Sequence, residues 1–178
     1  KIILIIVSVT IGYLLSTLTN SKKYASIVTG HPEATKIGEY ILSIGGNAID
    51  ASISTQLALA VCFPRAGNIG GGGFMIYRTE DGETYSLDFR EKAPLGSTKN
   101  MYLDDNGDVI DSLSTHGGLS VGVPGTISGI FDAHKKFGTL SIEQLFNPVI
   151  NLAERGFAID KRQAFLLNKH KKDFIKYN

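Results

Sequence analysis

The sequence has a single cysteine, Cys62, so no disulfide can close within this chain, and cysteine content says nothing about its compartment. That residue lies in the apolar run Leu57 to Phe63, where an unpaired thiol packs as a small hydrophobe. An excess of one charge is also missing. Eighteen Lys and Arg against seventeen Asp and Glu leave a formal net charge of +1, without the basic footprint that a phosphate backbone rewards, and nucleic acid is not an expected partner. No Cys, His and carboxylate cluster has metal-ligand spacing, and the expectation is no metal and no cofactor. Internal repeats and low-complexity runs are absent too. What remains, 43% hydrophobic and 20% charged residues, is the composition of one ordinary globular domain with enough apolar surface for a core.

The N-terminal stretch differs from the rest. Lys1 precedes a mostly apolar segment, Ile2 to Leu18, and the polar Thr19-Asn20-Ser21-Lys22-Lys23 ends it. A basic start before an apolar region of this length is the pattern of a secretory signal. Neither a small-x-small cleavage site nor a lipobox cysteine follows, which leaves a removed signal and a retained anchor both open. Residues 1–21 are therefore read as signal peptide or signal anchor. The remainder, 22–178, is read as one domain placed outside the cytoplasm, whether periplasmic, secreted or membrane-anchored.

Past that segment the periodicity predicts helices at both ends of the domain and a hairpin between them. His31-Pro32-Glu33 opens a helix with apolar positions Ala34, Ile37, Ile41 and Leu42, stopped by Gly45-Gly46. Asn47 caps a second helix, with Ile49, Ile53, Leu57, Ala60 and Val61 at three- and four-residue spacing, ended by Pro64. Phe74 to Arg78 and Thr84 to Phe89 read as strands joined at Asp81-Gly82, and Asn106-Gly107 marks a second turn. Pro124 suits the first turn of a third helix whose shared face is Ile127, Ile130, Phe131, His134 and Phe137, with Gly138 ending it. Ser141 and Gln144 have capping-box spacing ahead of a stripe formed by Leu145, Val149 and Leu152. The lysine-rich tail from Lys169 to Lys176 reads as the solvated side of a last helix. Helices, a hairpin-rich middle and helices again predict an α+β domain rather than alternating βαβ units.

Two strings stand out chemically. Gly70-Gly71-Gly72-Gly73 loses more backbone entropy on folding than an ordinary loop, which requires a compensating close approach of backbone or ligand. A phosphate cradle is disfavoured, because the run leads into a strand pattern and lacks both the GxGxxG spacing and a GK[ST] ending. Asp88-Phe89-Arg90-Glu91 ends the second strand, and alternation sets Phe89 on one face with Asp88 and Arg90 on the other. An arginine at a strand end can grip a carboxylate with two parallel hydrogen bonds, and it can equally be a plain surface residue. His31 and His134 fit structural roles better than that of a catalytic base.

The strings Gly-Gly-Asn-Ala-Ile-Asp-Ala (45–51), Ile-Gly-Gly-Gly-Gly-Phe-Met (69–75), Leu-Asp-Phe-Arg-Glu-Lys-Ala-Pro (87–94) and Val-Pro-Gly-Thr (123–126) occur in that order. Together they resemble the γ-glutamyltranspeptidase (glutathione hydrolase) family, over about Gly30 to Ile159. The resemblance implies an N-terminal-nucleophile hydrolase-like, layered αββα architecture, of which this chain holds the N-terminal part of the large subunit. It implies a precursor that cleaves itself, leaving a threonine at the new N-terminus of the small subunit. That threonine attacks the γ-glutamyl amide of glutathione or another γ-glutamyl compound, with its own α-amine as base. The acyl group then passes to water or to an amino-acid or peptide acceptor. By the same resemblance Arg90 binds the α-carboxylate of the glutamyl group, with Glu91 as an organiser beside it.

The processing motif Thr-x-His-aromatic-Ser has no match here, and Thr115-His116 leads into Gly117-Gly118 instead. No catalytic residue is therefore expected in this chain, which is expected to be inactive without the small subunit. A related cephalosporin or glutaryl acylase and a non-catalytic envelope scaffold are the alternative readings. The sequence also departs from the family pattern at Arg65-Ala66-Gly67-Asn68, where Ser-Gly is often found, and this leaves the local loop shape open.

Overall fold

The computed structural model describes residues 25–177, so the signal or anchor assigned to residues 1–21 lies outside the described residues. No helix among the described residues is long and apolar enough to cross a membrane. The elements run α1 (Pro32–Ser43), α2 (Ala48–Cys62), β1 (Phe74–Arg78), β2 (Thr84–Asp88), a 3-10 turn (Gly118–Ser120), α3 (Thr126–Phe137), α4 (Ile142–Arg155), α5 (Lys161–Lys169) and α6 (Lys171–Tyr177). This is the α+β organisation that the periodicity predicts.

Helix α2 is the centre of the domain. It packs on α1, α3 and α4, and it buries Ile49, Ala51, Ile53, Leu57, Ala58 and Cys62. Cys62 is fully buried, and burial pushes its thiol pKa up, as befits a packing residue. Leu145, Val149 and Leu152 of α4 complete the core, and the capping box of Ser141 and Gln144 forms as the spacing predicts.

Helix α1 starts on a histidine cap. His31 Nδ1 accepts from the Glu33 N–H at 3.2 Å, and the ring meets Phe157 edge-on. Glu33 in turn binds Lys36 and Arg155, joining the start of α1 to the end of α4. Its carboxyl is held down at about 2, first by the Lys36 hydrogen bond and then by Arg155. A depressed carboxylate stabilises the fold above its unfolded pKa and loses that contribution as pH falls through the folded value. The Glu33→Gln variant is therefore expected to match the parent in stability below about pH 2, to fall behind it as pH rises from there to 4.5, and to stay behind by a constant amount above that. Denaturant melts at pH 2 and pH 6 check this.

The strands pair antiparallel with Phe74 opposite Asp88 and Arg78 opposite Thr84. Met75, Tyr77, Tyr85 and Leu87 turn toward the helices, and Phe74 and Ile76 stand on the open face, 64% and 80% exposed. The connection Thr79 to Glu83 is longer than a two-residue turn. Only Gly82 takes a positive φ there, and Thr79 N–H bonds the Glu83 carbonyl at 2.9 Å.

Two expectations for α3 are corrected. Helix α3 begins at Thr126 with Gly125 as its cap, so Pro124 precedes the helix instead of filling its first turn. The buried side is Thr126, Gly129, Ile130 and Ala133, while Ile127 and Phe131 are 38% and 47% exposed. The cause is Phe89, whose ring lies so close to Gly129 that a Cβ there would sit 2.3 Å from it. Small residues must face the strand end, and the larger apolar ones rotate outward.

Candidate functional site

The Gly-rich string, the strand end and the Val-Pro-Gly-Thr string meet around the backbone of Arg90. Phe89 N–H donates to the Gly73 carbonyl at 3.0 Å, continuing the hairpin one residue past β2. Lys92 and Val123 exchange two backbone hydrogen bonds, of 3.2 and 2.8 Å, on the other side. Gly72 and Gly125 hold the segment between them. A Cβ on Gly72 would lie 2.5 Å from the Phe89 carbonyl oxygen and 2.7 Å from Arg90 Cα. A Cβ on Gly125 would lie 2.0 Å from that same oxygen. Within the glycine run it is Gly72 that makes a backbone-to-backbone approach no side chain would permit, while Gly71 and Gly73 lie against the side chains of Asn68 and Phe89. Phe74 opens a strand directly after the run, so no helix N-terminus stands there to take a phosphate.

The two walls are also bonded to each other. The Gly71 carbonyl accepts from Gly125 N–H at 2.7 Å and from Thr126 N–H at 3.0 Å. Asn68 Oδ1 accepts from Gly71 N–H at 2.8 Å and from the buried Thr126 hydroxyl at 2.9 Å. Gly71 N–H can only donate, which fixes the oxygen of the Asn68 amide on this side.

Arg90 leaves this frame with its side chain 62% exposed, and its backbone N–H is held by Asp88 Oδ1 at 3.0 Å. Its Nε contacts Glu91 Oε2 at 3.2 Å, and its guanidinium carbon stands 5.7 Å from the Phe74 ring centre. The Glu91 carboxyl is held below its ordinary value, first by its own backbone N–H and then by Arg90. Engaging Nε leaves the two terminal nitrogens of the fork as donors at the open face of the hairpin. A carboxylate with two oxygens matches that pair. Both predicted site residues, Arg90 and Glu91, are therefore adjacent in space and in contact.

The other titratable candidates lie elsewhere. His134 Nε2 contacts the Leu140 carbonyl at 2.7 Å, and Thr115 Oγ1 contacts His116 Nδ1 at 2.9 Å in an exposed loop. A cavity of about 570 Å³ between Phe63–Arg65 and helices α5 and α6 includes neither Arg90 nor Glu91 in its lining. Asn68 enters the sequence reading only as part of a departure from the family pattern, without a role at the site. Its spacing to Gly71 is a local turn signal, but Thr126 lies 58 positions away, and nothing local announces that partner.

Known proteins resemble this chain over most of its length. A family model described as gamma-glutamyltranspeptidase matches residues 34–178. The glutathione hydrolase proenzyme of Pseudomonas sp. (strain A14) is 51% identical over 150 residues, which cover 84% of this chain and 26% of that protein. The chain thus spans about a quarter of the length of the curated relatives it matches. The crystal structure of Helicobacter pylori gamma-glutamyltranspeptidase superposes with a TM-score of 0.84 at 49% identity, over 89% of this chain and 46% of that one. The gamma-glutamyltranspeptidase from Pseudomonas nitroreducens complexed with L-DON gives a TM-score of 0.79 at 40% identity, over 88% and 45% of the two chains.

Proposed function

The chain belongs to the γ-glutamyltranspeptidase family, with its α+β, N-terminal-nucleophile hydrolase-like fold, and on that premise we propose that it is the N-terminal part of the large subunit of an exported glutathione hydrolase and γ-glutamyltransferase. In this reading residues 1–21 direct export, and residues 22–178 form one wall of the substrate site. Arg90 binds the α-carboxylate of the γ-glutamyl group, and Glu91 orients the guanidinium through Nε. The nucleophilic threonine comes from a part of the protein outside this chain. Its hydroxyl attacks the γ-carbonyl, the amine of the same residue takes the proton and delivers it to the departing amine as the amide C–N bond breaks, and the γ-glutamyl group of the resulting ester passes to water or to an amino acid, which returns the threonine hydroxyl.

One observation carries the reading. Two separated stretches of chain, at Gly72 and at Gly125, close on the main chain from Phe89 to Glu91, while the Arg90 fork is left exposed. Such fixing of a backbone beneath an exposed guanidinium suits an anion clamp, whose strength depends on position, better than a solvated surface charge.

The test uses the full-length protein after its conversion to two subunits. The γ-glutamyl anilide is expected to turn over at least tenfold faster than the glutaryl anilide, which keeps the terminal carboxylate but lacks the α-amine. Faster turnover of the glutaryl compound would move the protein to the acylase class. Absence of both cleavage and turnover would leave the scaffold reading.

A further inference from the structure

We infer that Asn68 is a positioning residue for the substrate carboxylate, acting through Arg90 by clasping together the two glycine walls that hold the Arg90 main chain. The inference rests on the reading of Arg90 as the carboxylate clamp. One wall is Gly71-Gly72, the other Gly125-Thr126, and Arg90 lies between them with Gly72 against its Cα and Gly125 against the preceding carbonyl. Backbone bonds to the Gly71 carbonyl join the walls once. The Asn68 side chain joins them a second time, through one oxygen that takes Gly71 N–H and the Thr126 hydroxyl.

A glycine wall has no side chain of its own to anchor it, and a run of four glycines is the segment of this chain with the most conformational freedom. Loss of the clasp lets Gly71-Gly72 drift from α3, and the Arg90 main chain moves with it. Bidentate recognition tolerates little of this, because two parallel hydrogen bonds must both keep length and angle. Thr126 is the matching half of the clasp. It is fully buried at the first position of α3, where Gly125 supplies no side-chain cap.

The clasp needs an acceptor at position 68, not an amide as such. A carboxylate of the same shape accepts both donors and sits favourably at the N-terminus of α3. Asn68→Leu keeps the branched shape at a somewhat larger volume and removes the acceptor.

The experiment is a cycle in the full-length protein. The parent, Asn68→Leu, Arg90→Ala and the double variant are each checked for subunit cleavage and thermal midpoint. They are then assayed on γ-glutamyl anilide and on 4-aminobutyryl anilide, which lacks the carboxylate. Asn68→Leu is expected to lose about tenfold in kcat/KM on the γ-glutamyl compound, mostly through KM, and less than about twofold on the other. In the Arg90→Ala background it is expected to cost less than about twofold. Asn68→Asp recovers most of the loss. If Asn68→Leu does not fold, Thr126→Val, with Thr126→Ser as its rescue, carries the same cycle. An equal loss on both substrates, or additive losses in the double variant, would make Asn68 merely structural and overturn the inference. So would a fully active Asn68→Leu beside a defective Arg90→Ala. Full activity of Arg90→Ala would instead remove the clamp reading itself, and this inference with it.

Discussion

Replacing Arg90 by alanine in the full-length protein is expected to lower kcat/KM for a γ-glutamyl anilide by about 10² to 10³, with subunit cleavage and thermal midpoint unchanged. The size follows from what is lost. A guanidinium that meets a carboxylate with two charge-assisted hydrogen bonds, in a site closed by the rest of the protein, leaves a desolvated anion behind when it is removed. Losses of this kind run to about 2–5 kcal/mol. The fold should not register the change, because the Arg90 side chain is largely exposed and its only described ion pair is with the neighbouring Glu91. Lysine at position 90 should restore little, since an ammonium is a point charge and cannot supply the parallel pair. Steady-state kinetics of the three proteins on the γ-glutamyl and 4-aminobutyryl anilides decide the matter. A defect confined to the carboxylate-bearing substrate is the expected signature, and wild-type kinetics in Arg90→Ala would overturn the assignment.

The second large effect is on stability and comes from a residue far from the clamp. Asp50 is fully buried at the third position of α2. Its carboxylate accepts from Asn47 N–H at 3.0 Å, from Thr139 N–H at 3.1 Å, from the Thr139 hydroxyl and from Leu140 N–H at 3.4 Å. One side chain thus closes the capping box of α2 and satisfies the turn between α3 and α4. Asn47 adds a bond from its amide nitrogen to the Phe137 carbonyl at 2.7 Å. Asp50→Ala leaves the part-buried hydrogen bonds from Asn47, Thr139 and Leu140 without their acceptor, at a cost of about 1.5–3 kcal/mol. Asp50→Asn, which retains one oxygen, should cost about half of that. Thermal and urea unfolding of the full-length variants measure both. An Asp50→Ala midpoint within a degree of the parent would show that the turn finds other acceptors.

That role explains the string Gly-Gly-Asn-Ala-Ile-Asp-Ala, which sequence comparison alone marks as family-like without saying why. Its carboxylate and its amide are both structural. The same holds for the glycine run, whose purpose is the approach of Gly72 to the strand end and not the holding of a phosphate.

The sequence by itself determined α1 to α4 and both strands to within a residue or two, because they rest on local signals, while α5 over Lys161–Lys169 was not anticipated. The Asn47 cap, the Ser141 and Gln144 box, the Gly138 stop and the alternation in β1 and β2 are all read within one turn of chain. It also determined the family, since four ordered strings are specific even when the purpose of each is unknown, and through the family it singled out Arg90. Only the tertiary structure decided which face of α3 is buried, since Gly129 and Ala133 turn inward to make room for a phenylalanine 40 positions earlier. It alone paired Asn68 with Thr126 and Asp50 with Thr139, across 58 and 89 positions. The physical reason is common to these cases. Caps and periodicity depend on atoms a few bonds apart, whereas close approach between backbones and the satisfaction of buried donors depend on which distant segments the core brings together.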